Sequence, residues 1–338
     1  MGKHIGQTMF FENAIIKNGY TVAGPKEQDG RLKDRFDESL CDDKCGENSF
    51  EKAERDMFRS AIKGTADKGN MSLDDIDTII GGDLLNQIIS TSFAVRDLNC
   101  SFTGLYNACA TYVESMIIGS AFISSGFKDN VICVAGSHFS TAERQYRYPL
   151  ELGVLRSPES QWTATGVGAT LLTTDNQNNY RKKIYVTSGV FGRVVDFGIS
   201  DVNNMGAAMA PAAVNTLMQY FNDTGYNSKD FDIIATGDLG YLGMQIFMDL
   251  MQKNGYPLGE EYMDCGASLY YDKQQTYQGG SGAAASALVF NSTLLDRLKK
   301  GSINRMLLIG TGALMSPLTA FQGESIPVIA HLIEVQVK

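Results

Sequence analysis

Two stretches of the chain, "DDIDTIIGGDLL" at residues 74–85 and "KDFDIIATGDLG" at residues 229–240, read almost alike. In both, an apolar run ends in Gly-Asp-Leu, and a helix-forming segment precedes it. Strands that are apolar throughout are typical of sheets covered by helices on both faces. The repeat therefore predicts a duplicated α/β unit, whose aspartates align in pairs 155 positions apart (232 − 77), namely Asp77 with Asp232 and Asp83 with Asp238.

A second pair of similar segments supports the duplication. Residues 126–139, "GFKDNVICVAGSHF", match residues 301–314, "GSINRMLLIGTGAL", in the order glycine, polar turn, apolar strand and small residues. Because the two repeated segments follow each other in the same order in both parts of the chain, we predict two similar halves, 1–175 and 176–338. The polar segment 174–183, "TDNQNNYRKK", is turn-like and would join them.

The segments before the two related strands carry helix-start signals. In "NSFEKAERDMFRSAIKG", Asn48 and Glu51 are spaced as a capping box. In "PAAVNTLMQYF", Pro211 suits a first helical turn. We therefore expect one helix to begin near residue 48 and the other near residue 211.

The composition excludes some classes of function. The 338 residues carry a formal net charge of −9, which disfavours a nucleic-acid partner because phosphate binding needs clustered cations. No apolar run approaches the roughly 18 residues of a membrane span, so a soluble chain is expected. The six cysteines are expected to be free thiols. Cys41 and Cys45 lack a second ligand pair for zinc and are interpreted as part of an acidic surface loop.

Small residues at four strand ends indicate a crevice. In an open α/β sheet, ligands bind beyond the carboxyl ends of the strands, and here those ends carry Cys109, His138, Asp238 and Gly310. If a helix begins near Cys109, its free backbone N–H groups and dipole favour a reactive thiolate. The equally weighted alternative is a small thiol packed in the core.

A catalytic thiolate needs a base, and the chain has three histidines. His4 and His331 lie near the ends of the sequence, and core packing is the expected role of His331. His138, at the end of the strand "VICVAG", is the candidate site histidine. Hydrogen bonding to a loop is its alternative role.

Longer motifs carry a family resemblance. With "GLYNACATYVES", "AGSHFSTAERQYR", "QWTATGVGATLL", "DVNNMGAAMAPAA" and "TGDLGYLG", the chain resembles the stage V sporulation protein AD family, thiolase-like proteins of endospore-forming bacteria. It more distantly resembles β-ketoacyl synthase III and thiolases. The resemblance implies a thiolase-like five-layer α-β-α-β-α fold from two duplicated halves, and a homodimer.

The chain departs from the condensing enzymes at two site positions. Their catalytic His and Asn correspond to positions in "TGDLG" and "GGSGAAASA", which here hold Asp238 and Ser281. An anionic Asp238 would repel a thiolate and an enolate. Claisen condensation is therefore not expected, and Cys109 is interpreted as a vestigial nucleophile position. An acyltransferase or hydrolase using Cys109 with His138 as base remains the alternative, and a pure assembly scaffold is a third.

The resemblance also implies a ligand, dipicolinic acid (pyridine-2,6-dicarboxylate), and a part in its uptake into the developing spore. Implied partners are membrane-embedded subunits of that machinery, with the chain peripheral to the spore inner membrane. No cofactor is expected beyond calcium carried with the ligand. An Asp after Gly at a strand end commonly fixes a turn, which is the expected role of Asp83 and Asp238, and holding that calcium is the alternative role of Asp238. Two carboxylates on a flat ring favour Arg and Tyr side chains, as in "TAERQYRYPLELGVLR", although a surface or dimer contact explains that cluster equally well. The predicted ligand-binding residues are Cys109, His138, Arg144, Arg147, Asp238 and Ser281.

Overall fold

The computed structural model of the chain describes residues 3–146, 156–175 and 182–338. Most of the predicted junction, residues 176–181, and Arg147 lie outside the described residues. The strands are β1 (Lys3–Ile5), β2 (Thr8–Phe10), β3 (Ala14–Ala23), β4 (Glu38–Ser39), β5 (Thr78–Gly82), β6 (Phe102–Gly104), β7 (Asn130–Ser137), β8 (Trp162–Thr163), β9 (Gly166–Thr174), β10 (Ile184–Val190), β11 (Ile233–Thr236), β12 (Tyr262–Asp264), β13 (Gly280–Ser281), β14 (Arg305–Ala313) and β15 (Val328–Val337).

The helices alternate with these strands. They are α1 (Pro25–Gln28), α2 (Phe50–Lys68), α3 (Ile89–Arg96), α4 (Thr111–Ser124), α5 (Phe139–Tyr146), α6 (Met205–Thr224), α7 (Gly240–Lys253), α8 (Cys265–Leu269), α9 (Ala283–Val289), α10 (Leu295–Lys299) and α11 (Pro317–Phe321). A π-helical turn, Phe290–Leu294, joins α9 to α10. Short 3₁₀ helices lie at Leu73–Asp75, Asn86–Ile88, Ser228–Asp230 and Asp272–Gln274.

Two five-stranded units with the same strand order make up most of the sheet structure. The first runs β3-β9-β7-β5-β6 and the second β10-β15-β14-β11-β12. In each, the last three strands are parallel to one another and the first two pair antiparallel. The two units meet where β3 and β10 pair at Ile15 and Tyr185. This shared order confirms the duplicated α/β fold predicted from the repeats.

The repeated aspartates perform the same structural task in both units. Asp77 accepts hydrogen bonds from the backbone N–H groups of Asp129 and Asn130, at 2.8 Å each. Its counterpart Asp232 accepts from the backbone N–H groups of Asn304, at 2.7 Å, and Arg305, at 3.0 Å, where β14 begins. Each aspartate therefore ties the start of its own strand to that of the neighbouring parallel strand.

Helices cover both faces of each unit. Helices α2 and α3 pack on the outer face of the first unit, and α6 packs on the outer face of the second, with α7 against it. Helix α4 contacts strands of both units and α9 packs beside it, so these two form the middle layer. Both are apolar nearly all round, as a helix enclosed by sheets must be. The result is the expected five-layer arrangement.

Two predicted helix starts are wrong in detail. The N-cap of α2 is Ser49, whose hydroxyl accepts from the Lys52 N–H at 3.3 Å, and not Asn48. Helix α6 begins at Met205, so Pro211 lies inside the helix and not in its first turn. Asn204 caps α6 by accepting from Ala207 N–H, and this cap was not recognised in the sequence.

Candidate functional site

A narrow crevice beside Cys109 lies between the two halves. The centre of a water molecule can occupy about 40 Å³ of this crevice. All the space in it that is not filled by atoms, including its open mouth, amounts to about 450 Å³. None of the described residues that line it carries a charge. They are Leu84, Tyr106, Ala108, Cys109, Ala142, Tyr146, Thr163, Met205, Ser281, Gly282, Ala313 and Met315.

A strained turn presents Cys109 to this crevice. Ala108 has a positive φ of 50°, which is unusual for a residue with a side chain. The turn is held by Thr111, whose hydroxyl accepts from the Asn107 N–H at 3.0 Å and donates to the Ala108 carbonyl at 2.8 Å. The thiol thus lies two residues before α4, as the sequence indicated, and Cys109 is only 7 % exposed.

The thiol of Cys109 is hydrogen-bonded to the side chain of Asp238. The same carboxyl accepts from the Thr311 hydroxyl at 2.7 Å and from the Gly282 N–H at 3.0 Å. Asp238 is 1 % exposed, and this burial raises the pKa of its carboxyl to about 7, against the lowering effect of the Cys109 and Thr311 hydrogen bonds. Asp238 therefore does not line the crevice itself but contacts Cys109, which does.

This pairing disfavours nucleophilic chemistry. A carboxylate accepts the S–H hydrogen, and it repels the negative charge that would remain if the thiol lost its proton. A condensing site instead needs a neighbour that stabilises the thiolate or the oxyanion. In its ionised form, the Asp238 carboxyl group therefore opposes ionisation of the Cys109 thiol.

Asp83, the counterpart of Asp238 in the repeat, only fixes local structure. Its carboxyl accepts from the Leu85 N–H at 2.8 Å, which is the turn-forming role foreseen as an alternative. It also accepts from the N–H and hydroxyl of Thr91 at 2.7 Å each. Equivalent positions in the two halves therefore have different roles.

His138 contacts the loop between β4 and α2 and does not line the crevice. Its Nδ1 accepts from the Ser140 N–H at 3.1 Å, so Nε2 carries the hydrogen and donates to the Asp43 carbonyl at 2.6 Å. The ring packs near Phe50, and burial lowers the pKa of His138. This is the loop-bonding geometry named as its alternative, and its part in ligand binding stays a prediction.

The predicted arginines are not gathered at Cys109 in the described part of the chain. The Arg144 guanidinium lies 3.6 Å from the Glu51 carboxylate and over the ring of Phe50. Arg156 donates to the Gln161 carbonyl and lies over Trp162. Neither lines the crevice, whereas Arg147 directly follows Tyr146, which does, and lies outside the described residues.

His331 is nearer the crevice than sequence reasoning indicated. Its Nδ1 accepts from the Gly192 N–H at 3.1 Å, and its Nε2 lies 3.3 Å from the side-chain amide of Asn107, two residues before Cys109. Burial lowers the pKa of His331 to about 4, so the imidazole is neutral at physiological pH. His331 in β15 pairs with Gly310 of β14, which is one of the predicted crevice positions. This strand pairing, which was not recognised in the sequence, brings His331 near the crevice.

Two tyrosines form the remaining polar wall. The hydroxyls of Tyr106 and Tyr146 lie 2.6 Å apart, and Tyr146 donates to the Leu84 carbonyl. Tyr106 is therefore the donor to Tyr146. Burial raises the pKa of both phenols, so both stay protonated. Sequence reasoning did not single out Tyr106, Met205 or Met315, because loops distant in sequence bring them together.

The described residues contain no group of three or more His, Cys, Asp or Glu side chains placed to hold a metal ion. Cys41 and Cys45 are exposed, as a surface loop requires. A calcium ion at Asp238 would have to displace the hydrogen bonds that its carboxyl already accepts. Among the described helices, none is both long and apolar enough to cross a membrane.

The duplicated sheets, the enclosed α4 and the cysteine at its start define a thiolase-like protein. The chain is similar to OleA of Xanthomonas campestris, with a TM-score of 0.62 and 16 % identity over 97 % of this chain and 99 % of that one. It is also similar to 3-oxoacyl-[acyl-carrier-protein] synthase III of Aquifex aeolicus VF5, with a TM-score of 0.58 and 13 % identity over 96 % and 99 % of the two chains.

Residues 5–336 match the family model of stage V sporulation protein AD (SpoVAD). The chain is 40 % identical over 326 residues to stage V sporulation protein AD of Bacillus subtilis (strain 168), covering 96 % of this chain and 95 % of the relative. The chain belongs to the stage V sporulation protein AD family, which confirms the resemblance stated from its motifs.

Proposed function

We propose that the chain binds dipicolinic acid and serves in its uptake into the developing spore without catalysing a reaction. Membership of the SpoVAD family gives it a role in sporulation. The observation that carries the choice of binding over catalysis is the hydrogen bond between Cys109 and Asp238. When that carboxyl group is ionised, it stabilises the thiol and destabilises the thiolate.

The crevice offers chemistry that suits a flat dicarboxylate. Ser281 lines the crevice, and its hydroxyl is a donor for a carboxylate oxygen, whereas the hydrogen of the Cys109 thiol is already donated to Asp238. The thioether side chains of Met205 and Met315 line it on the side of the second half. Methionine is unbranched and adapts its shape, so these side chains can open the narrow space for a ring.

A cation completes the proposed site. Because the described lining is uncharged, the two carboxylates of the ligand need a positive partner from a neighbouring segment. Arg147 is the candidate, since it directly follows Tyr146 in the sequence and a guanidinium binds a carboxylate through two parallel hydrogen bonds. Arg144, on the far side of α5, serves as its matched control.

Other parts of the proposal concern assembly. We infer a homodimer that works with membrane-embedded subunits, to which the chain binds peripherally. Calcium enters with the ligand and is not held by the protein alone.

Calorimetric titration of the full chain with dipicolinate, with and without calcium, tests the proposal. We expect saturable one-site heat, about tenfold weaker binding in Arg147→Ala, and little change in Arg144→Ala, because hydrogen bonds to charged groups contribute about 1.5–3 kcal/mol. Equal effects in both variants would remove Arg147 from the site. No heat in either condition would favour a scaffold role.

Acyl transfer is the second candidate, favoured by the strained turn that presents Cys109 at the start of α4. It predicts a covalent acyl-cysteine, seen as a mass increase of the intact chain after incubation with short acyl-CoA thioesters. Cys109→Ala is the control that must abolish the increase. We expect no increase in the wild-type chain.

A further inference from the structure

A second and larger cavity lies on the opposite side of the wall that α5 and β8 form. Phe139 of α5 and Trp162 of β8 line this cavity, which has about 840 Å³ of space. The same two elements give Ala142, Tyr146 and Thr163 to the Cys109 crevice. We call the larger space the lysine cavity, after the three cations that line it, Lys26, Lys33 and Lys273.

Two cations share one indole at its wall. The ammonium of Lys26 lies 4.0 Å from the ring centroid of Trp162, and the guanidinium carbon of Arg156 lies 5.0 Å from it. Phe139 stacks on the same indole, with centroids 3.6 Å apart and planes at 5°. In the part of the chain that the structure describes, the Lys26 ammonium has no ion pair. An anion entering the cavity would supply one.

The charge balance at Lys26 points the same way. Burial lowers the pKa of Lys26, and nearby Arg156 lowers it further, against the opposite effect of Glu27 and Asp43. A half-buried ammonium beside another cation is stabilised when an anion binds next to it. The ring system beneath it is apolar and flat, which suits a ligand with an aromatic body.

Aspartates also line the cavity, and they limit which anions fit. They are Asp29, Asp42 and Asp43. The Asp42 carboxylate is already bound to its own loop, accepting from the N–H groups of Lys44 and Cys45 at 2.7 Å each. A lining of both signs disfavours a compact anion such as inorganic phosphate, whose charge faces all directions. It favours a ligand whose carboxylates lie on one edge of a ring.

We propose that the lysine cavity is a second binding site for a planar aromatic dicarboxylate, with Lys26 as its main cationic contact. The choice of dipicolinate as probe rests on the proposed function, but the site is distinct from the Cys109 crevice. The α5–β8 wall would then lie between two binding sites for this class of ligand.

Tryptophan fluorescence reports on the wall of this cavity, because Trp162 lines it and is the one tryptophan in the 338 residues. We titrate the full chain with dipicolinate, exciting the indole where the ligand does not absorb. We expect a saturable change in emission as the ligand draws Lys26 from the ring. Benzoate, with a single carboxylate, is expected to bind at least tenfold more weakly, and inorganic phosphate to cause no change.

Two sets of variants test the cations. Lys26→Gln is expected to weaken the binding seen at Trp162 about tenfold, the usual effect of losing a charged hydrogen bond. The double variant Lys33→Gln/Lys273→Gln leaves Lys26 beside the indole and is also expected to weaken the binding. Lys229→Gln, on an exposed 3₁₀ helix, is the control. Unchanged binding in both cavity variants would overturn the proposal.

Neighbouring cysteines give a second readout. Cys41 lines the lysine cavity and Cys45, also exposed, does not. Dipicolinate is expected to slow the alkylation of Cys41 and to leave that of Cys45 unchanged. Heat of binding without a response at Trp162 or Cys41 would overturn this second site and leave the proposed function standing. A response at both with Cys109 unprotected would instead overturn the crevice assignment, and no response by any method would overturn both.

Discussion

The thiol of Cys109 donates its hydrogen bond to the carboxyl of Asp238, in a crevice where a condensing enzyme of the same fold would need a group that stabilises the thiolate. The carboxyl is fixed by Thr311 and Gly282, so it cannot easily turn away. The structure thereby joins two residues that are 129 positions apart in the chain (238 − 109).

Asp238→Asn should make Cys109 more reactive. The amide carries no charge, so the thiolate loses a repelling neighbour, and the thiol's pKa should fall. We expect the alkylation of Cys109 by iodoacetamide, followed by peptide mass spectrometry at pH 8, to become several-fold faster. The exposed Cys45 in the same sample is the internal reference, and a slower reaction at Cys109 would contradict this account.

The buried Glu27 should make the protein less stable as the pH rises. Burial raises its pKa to about 7, so the folded state binds a proton that the unfolded state has lost between about pH 4 and pH 7. Stability therefore falls across that window. The Oε1 atom of Glu27 accepts from the Tyr270 hydroxyl and from the Thr165 N–H, and Oε2 has no partner among the described residues. Glu27→Gln keeps an oxygen at Oε1 and therefore breaks no hydrogen bond.

Urea unfolding at pH 5 and pH 8 measures this effect. From pH 5 to pH 8, the free energy of unfolding of Glu27→Gln should rise relative to that of the wild-type chain by up to a few kcal/mol. One pKa unit corresponds to about 1.4 kcal/mol. The exposed Glu260→Gln is the matched control and should show no such gain. An equal difference at both pH values would show that Glu27 is not the responsible group.

Gly312→Ala should disturb the turn that carries Cys109. A Cβ at this position of β14 would lie 2.5 Å from the Asn107 carbonyl oxygen, so the turn must shift. We expect a loss of roughly 1–3 kcal/mol in urea unfolding and faster alkylation of Cys109. Gly259→Ala, whose Cβ meets only the carboxyl end of Glu261, is the control. Wild-type stability in Gly312→Ala would contradict the packing described.

His331 should remain neutral throughout the physiological range. Burial lowers its pKa to about 4, which removes it as a proton acceptor strong enough for a thiol at neutral pH. NMR of the labelled imidazole should show no protonation between pH 8 and pH 5.5. A titration midpoint above pH 6 would restore His331 as a candidate base and strengthen the acyl-transfer alternative.

The fold followed from the sequence because the repeat records it directly. Asp77 and Asp232 lie at the same offset in each stretch and tie the same pair of strand starts, so their recurrence marks equivalent backbone. Helix ends were less predictable. A proline inside α6 and a serine cap on α2 are both compatible with the local pattern, and tertiary packing decided between the choices.

The site was only partly predictable. Comparison with the condensing enzymes indicated Asp238 opposite Cys109, and the structure joins the two by a hydrogen bond. A strand end places the backbone but not the side chain, which is why His138 points to the Asp43 carbonyl instead of the crevice. The lining that comes from loops, such as Tyr106 and Met315, has no local sequence signal.

The most direct test of the central claim is protection of Cys109 by the ligand. The rate of Cys109 alkylation in the wild-type chain is measured with increasing dipicolinate, alongside calorimetry of the same samples. The account predicts that the rate falls saturably, with its midpoint at the calorimetric Kd. An unchanged rate at ligand concentrations that saturate the heat would contradict it and place the ligand elsewhere in the protein.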